Sequence, residues 1–452
     1  MKKFVSFLLV LVLVFAVTAC GSNDQAATTQ AATTAQESTT EADTSGADTS
    51  NTATISVQVE SDWLAYYETA KARVLERYPN ATINFIESTS FDHLDVLDAT
   101  DVTNTDVADV FALPADRIYG LAQNEVLASM DALKMAEYVG GFDDYDSGLG
   151  GNFNINGDYL AFPMNIETLI NFANKANAEA AGIDLSQPVE FTTLGYEDML
   201  VPVFNAWFGV ALTNTANIEM LGYDADGNLY SDLTADWADL PAEKQAVMTA
   251  IYDYWKKHDE AGTSLWDADA AWGYMDESFT SGGATAIRLE GPWSTASLSA
   301  LANDGQDIEI LPITQVTLNG VPLAHWKGGW GLGINARVEG NDDQMALAEA
   351  FIEEVVNPDY AVDFFKASGK ILENVDESVY MNSDLSDTDK TVIAAVIESY
   401  KEAPARPLFT EWGSVWDTWQ NSLLSWASVK PASAEEAYAQ VQAAFQAMML
   451  NF

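Results

Sequence analysis

Cysteine is nearly missing from this chain: Cys20 is the single example in 452 residues. That excludes an internal disulfide, CxxC redox chemistry and any thiolate-rich zinc or iron–sulfur site. Histidine is almost as scarce. His93, His258 and His325 lie far apart and form no HExxH-like pair, which argues against a metal hydrolase. Positive charge is also thin, with 20 Lys and Arg against 68 Asp and Glu and a formal net charge of −48. Phosphate backbones repel such a chain, and no Lys/Arg cluster is present to release counterions, so nucleic acid is excluded as a partner. The charge predicts solubility and self-repulsion but says nothing about a ligand. Nor is there a membrane-length apolar run at the start. Phe4 to Val17, interrupted by Ser6 alone, falls short of the ~20 residues a helical span needs.

What is present is apolar material in quantity: 48% hydrophobic residues, enough for large cores. At one domain per ~100–200 residues the length predicts two to three structural units. Lys2 and Lys3 ahead of the Phe4–Val17 run have the order of a signal peptide, placed at residues 1–19. Val17-Thr18-Ala19-Cys20-Gly21 resembles a bacterial lipobox, in which cleavage leaves the cysteine at the new N-terminus bearing a diacylglyceryl group. Cys20 is therefore the expected lipidation site. From Gly21 to Ala53 there is no aromatic residue, no Val, Ile, Leu or Met, and no Lys or Arg. Such composition buries too little surface to offset chain entropy. Residues 20–53 read as a disordered tether with a reach of roughly 30 Å.

From Thr54 the pattern alternates short strands with amphipathic helices, which predicts an α/β fold with mostly parallel sheets. Ile55 to Val59 has period two. Trp63, Leu64, Tyr67, Ala70, Val74 and Leu75 follow at helical spacing, opened by Ser61/Asp62 and stopped by Pro79. Ile83–Ile86 and Val107–Leu113 read as further strands. Asn341 to Gln344 and Ser433 to Glu436 have the form of capping boxes. Asp224-Ala-Asp226-Gly-Asn228 has its Gly at the fourth position, not the sixth of a calcium loop, so a hairpin turn is expected.

Five ordered segments resemble the bacterial extracellular solute-binding proteins of family 1, and most of all their maltose/maltodextrin-binding branch. They are Ala108 to Phe111 with Asp116-Arg117 and Ala122-Gln123; Asn156 to Pro163 leading to Glu167; Phe279 to Trp293; Gly328 to Ala336; and Pro407 to Trp419. The resemblance covers the chain from Thr54 to its end. It implies a two-lobed, type II periplasmic-binding-protein-like fold with ligand between the lobes. One lobe would hold residues 54–164 plus 324–382, the other 165–323 plus 383–452. It also implies a non-catalytic, monomeric receptor without cofactor or metal. That receptor would stand on the outer face of a Gram-positive cell membrane, held by its lipid alone, and deliver an oligosaccharide to ABC permease transmembrane subunits.

A neutral sugar offers hydroxyls and apolar ring faces; carboxylates and arginine suit the first, indoles the second. By their places in the family motif, Asp116, Arg117, Glu167, Glu87 and Asp62 are expected to take hydroxyls. Trp293 and Trp416 are expected to stack on the sugar. Phe204 and Trp207 are further candidates from a tract that aligns less cleanly. Trp412, Trp416, Trp419 and Trp426 also recur at helical spacing, and core packing is the reading for Trp419 and Trp426. Ten of the thirteen tryptophans, all but Trp63, Trp326 and Trp330, fall in the expected second lobe. The chain departs from the branch where Leu113 replaces an aromatic and where Asp62 lacks a companion lysine. Two alternatives stay open: the same fold binding another oligosaccharide, a polyamine or a cation, and a surface glycan-cleaving enzyme.

Overall fold

The computed structural model describes residues 47–452 except Asp143, Ala225 and Glu402. The expected signal peptide, Cys20 and most of the tether lie outside the described residues. The end of that tether needs correcting. The Asp48 N–H donates to the Arg77 carbonyl at 2.8 Å, and the buried Asn51 side chain donates to the Asp343 carbonyl at 2.9 Å. A backbone N–H and a side-chain amide of this segment satisfy carbonyls of the first lobe, so order begins several residues before Thr54.

Two sheets organise two lobes. The first contains β1 (Thr54–Val59), β2 (Thr82–Glu87), β3 (Val110–Pro114), β4 (Ala161–Glu167), β9 (Gly328–Ile334) and β10 (Ile371–Leu372), in the spatial order β10-β4-β9-β3-β1-β2. The second contains β5 (Ile170–Asn174), β6 (Met199–Leu200), β7 (Ile287–Glu290) and β8 (Ile308–Leu311), in the order β8-β5-β7-β6. The expectation of mostly parallel sheets is overturned. β1 runs parallel to β2 and β3, but β9 is antiparallel to both its neighbours, and β5 is antiparallel to β7 and β8. The reason is topological: β9 re-enters the first sheet after an excursion through the second lobe and returns in the opposite sense.

Local chemistry sets the helices. α1 (Leu64–Arg77) and α2 (Asp342–Val355) pack together, with Tyr66, Tyr67 and Val74 buried between them and the sheet. Arg73 and Arg77 reach Glu354 and Glu353 at 2.7 and 2.6 Å. The Asn341 side chain accepts from the Gln344 N–H at 3.2 Å, and Ser433 from that of Glu436 at 3.2 Å, so both boxes cap their helices. Asp224 accepts from the Asn228 N–H at 2.8 Å inside an antiparallel hairpin, Gly222–Tyr223 against Leu229–Tyr230.

The crossings meet beneath the space between the sheets. Only Thr168 and Leu169 separate β4 from β5. The return segment before β9 is tied to the chain leaving helix Asp387–Lys401: the Lys327 N–H donates to the Pro404 carbonyl at 2.8 Å, and Lys327 bridges Ala405. Val392, Ile393 and Val396 of that helix share one core with Ile308 and Ile310 of β8 and Leu372 of β10.

Candidate functional site

A cleft of about 1400 Å³ opens between the two sheets. Its first-lobe wall is delivered by chain ends just past strands. β1 leads to Glu60, Asp62 and Trp63, β3 leads to Asp116 and Arg117, and β4 ends at Glu167. The opposite wall comes from Trp207, Trp293 and the Arg406–Trp416 segment.

Seven of the nine expected residues line this cleft: Asp62, Asp116, Arg117, Glu167, Trp207, Trp293 and Trp416. Two do not. Phe204 is 2% exposed and packs edge-on to Trp266 in the second-lobe core. Its tract forms a helix entry whose apolar side faces inward. Glu87 is exposed at the end of β2, an edge strand, and the chain reaches the cleft only two residues later, at Thr89. Trp419 and Trp426 are fully buried, their indole N–H groups donating to the Val203 and Ala437 carbonyls at 2.8 and 3.1 Å.

The Asp-Arg pair divides its work. Arg117 turns back to Asp98 at 2.5 Å. Asp116 pairs instead with Arg406 across the cleft at 2.7 Å. That guanidinium lies 4.9 Å from the Trp207 ring, 5.8 Å from Trp326 and 6.0 Å from Trp416. Arginine suits this place because a weakly hydrated planar cation tolerates aromatic faces. The Arg406 Nε and Asp116 Oδ1 atoms are buried without a partner among the described residues.

Aromatic rings form the second-lobe platform. Trp207 and Trp293 stand 6.5 Å apart, and Trp412 meets Trp416 edge-on at 4.7 Å. Trp293 is 49% exposed and folds over Gly291, where a Cβ would come within 2.1 Å of the indole. Only glycine leaves room for that ring. Behind it, burial pushes the Glu290 carboxyl up to about 7, against the pull of Arg288. Burial also drives His325 down to about 3, so this ring stays neutral as it contacts the Trp207 carbonyl at 2.8 Å.

Sequence reasoning missed Arg406, Lys370, Trp63 and Trp330. Glu167 accepts from the Trp330 indole at 2.7 Å, and Lys370 lies over both Trp63 and Trp330. Trp330 lies within the Gly328–Ala336 segment that carries the family resemblance, but on a Gly-rich strand in which nothing local marks its ring for the cleft. Lys370 and Arg406 come from segments far along the chain from the walls they complete. The Pro407–Trp419 segment carried a signal one residue away from Arg406; Lys370 carried none. Among the described residues no cluster of His, Cys, Asp and Glu could hold a metal ion.

Two α/β lobes with an aromatic, carboxylate- and arginine-bearing cleft between them define a two-lobed solute-binding protein. Residues 69–384 match the model for bacterial extracellular solute-binding proteins, and the chain belongs to that family. No curated protein sequence matches it. Solved structures share its fold. One is the maltose-binding periplasmic protein MalE of Listeria monocytogenes in complex with maltose, at 20% identity and a TM-score of 0.66, covering 89% of this chain and 100% of that one. MalX of Streptococcus pneumoniae, solved with maltopentaose, is 18% identical with a TM-score of 0.67, covering 87% and 99%. The GacH receptor of Streptomyces glaucescens, solved unliganded and with acarbose, is 16% identical with a TM-score of 0.66, covering 89% and 99%.

Proposed function

We propose that this chain is the lipid-anchored extracellular receptor of an ABC importer, capturing a maltodextrin-like oligosaccharide and handing it to the permease. The carrying observation is the cleft composition: Trp207, Trp293 and Trp416 face Asp62, Asp116 and Glu167 across one space. Indoles cover the C–H faces of a sugar ring, and each carboxylate accepts hydroxyl protons. A few charge-assisted hydrogen bonds at ~1.5–3 kcal/mol each, with ring burial, suffice for about micromolar affinity. In this reading Arg117 also offers donors at the cleft mouth, and the molecule works as a monomer. The lobes, 54–164 plus 324–382 and 165–323 plus 383–452, close by hinge motion, a behaviour general to periplasmic binding proteins.

The anchor is Cys20, and no described helix is long and apolar enough to cross a membrane. The neighbours' maltose, maltopentaose and acarbose ligands support a glucan as the first choice. An enzyme finds less support. Glycosidases need two carboxyls flanking the bond, one with a raised pKa. The two carboxyls pushed up to about 7, Glu290 and Glu373, do not line the cleft.

The test is a titration with maltooligosaccharides under tryptophan fluorescence, with the sugar then run on a chromatogram. A saturable change with intact sugar is expected; shortened sugar would convert the reading to an enzyme.

A further inference from the structure

We propose that Lys370 is a built-in cation that fills an aromatic and acidic cage in the cleft and so reserves it for uncharged, hydroxyl-rich solutes. This rests on the carbohydrate reading above and names the residue that sets its ligand class.

The cage is assembled from distant parts of the first lobe. Helix Ala361–Ser368 ends at Gly369, whose φ of 67° turns the chain sharply back. That turn brings Lys370 into the cleft directly ahead of β10. The ammonium lies 5.3 Å from the Trp63 ring centre and 4.7 Å from that of Trp330. Both indoles are fixed. Trp63 is 5% exposed, and Trp330 is held by its N–H donation to Glu167 and by the edge of Phe91 at 5.3 Å. Glu60, which accepts from the Ser90 hydroxyl at 2.6 Å, is locked on the same wall. Indole faces flanked by carboxylates are the usual environment for recognising an ammonium.

Here the ammonium is the protein's own. Among the described residues Lys370 forms no ion pair. Burial lowers its pKa, while the charges of Glu167 and Glu60 act the other way. Its N–H donors are therefore left for a ligand's oxygen atoms. A soluble ammonium entering this wall would meet a like charge on faces already covered. A hydroxyl oxygen would instead find donors from lysine and acceptors from Glu60 and Glu167 within one small region. An acidic, aromatic cleft of the kind that attracts polyamines is thereby made into a reader of neutral polyols.

The experiment is calorimetric titration of the full chain, carrying Cys20→Ala to keep it unlipidated, with choline chloride and separately with maltotriose. The parent protein is expected to give no saturable heat with choline up to about 10 mM. Lys370→Ala is expected to bind choline with a Kd of about 1 mM or tighter, weakening as salt rises. Lys370→Gln removes the charge but keeps the stem; it guards against misfolding of the alanine variant and should admit choline more weakly. Lys370→Arg should exclude it. Maltotriose affinity should fall at least about five-fold in the alanine variant. The proposal is overturned if folded Ala and Gln variants both refuse choline, or if the parent already binds it. Choline uptake by the variants with no maltotriose binding by the parent would uphold Lys370 as the cation plug and sink the maltodextrin reading.

Discussion

The ion pair between Asp116 and Arg406 joins the two walls of the cleft, and its removal has a calculable effect. Arg406 is 6% exposed and Asp116 19%, and their nitrogen and oxygen stand 2.7 Å apart. Breaking a fully buried pair on one side costs ~3–5 kcal/mol, chiefly because the remaining charge is stranded. Asp116 borders the cleft and retains some water, so Arg406→Met is expected to cost about 2–3 kcal/mol. Methionine still lays an apolar stem against Trp207, Trp326 and Trp416, which separates loss of charge from loss of packing. Asp116→Asn should lose a similar amount, and the double variant little more than either single one. Urea unfolding followed by far-UV circular dichroism gives the four stabilities of the cycle. A coupling energy of about 1.5–3 kcal/mol is expected. If the single effects add to within about 0.5 kcal/mol, the two residues do not meet in solution and the reasoning is refuted.

Trp293→Ala and Trp416→Ala should each weaken maltooligosaccharide binding by about ten-fold, with melting temperatures close to the parent's; unchanged affinity with a lowered melting point would assign both rings to packing. Trp419→Ala should do the reverse, losing ~3–5 kcal/mol of stability because its indole is fully buried; a melting curve like the parent's would contradict that. Glu167→Gln should weaken sugar binding while retaining an acceptor for the Trp330 indole, and superimposable titration curves for every sugar would count against it. Glu290 and Glu373 should each lower stability as pH rises from 4.5 toward 7, while the buried His93, His258 and His325, pushed down to about 4, 4 and 3, act in the opposite sense below pH 6.5. Burial holds both Glu290 and Glu373 at about 7 against an ordinary 4.5, so the folded chain keeps protons that the unfolded chain has released. Each contributes at most about 3 kcal/mol over that window. The melting temperature of Glu373→Gln relative to the parent's should therefore rise between pH 5 and pH 8 in calorimetry; parallel pH profiles for the two proteins would show that Glu373 keeps no extra proton on folding.

Much of this architecture was legible in the sequence because the signals were local. A period-two run marked β1 and short apolar runs marked β2 and β3, and Asn341 and Ser433 announced their helices by offering a side-chain oxygen to an N–H three residues on. Asp116 and Glu167 could be placed at the cleft because they match the family motif, and the fold puts them just past and at the ends of their strands. Strand direction was not legible, since it depends on the route of the chain through the other lobe. Glu87 failed for a related reason: its strand end resembles those of β1 and β3, and only the fold shows that the chain enters the cleft two residues further on, at Thr89. Phe204 shows that an aromatic tract does not reveal which ring faces inward. Lys370 and Arg406 are legible only after folding, one supplied by a helix-ending glycine and the other by the third crossing.

The central claim, that this cleft captures a maltodextrin-like oligosaccharide, is tested most directly by titrating the full Cys20→Ala chain with maltotetraose under tryptophan fluorescence. The expected result is a saturable change with a Kd of about micromolar order, intact sugar recovered afterwards, and loss of the signal in Trp293→Ala. A flat titration across the series from maltose to maltoheptaose would contradict it.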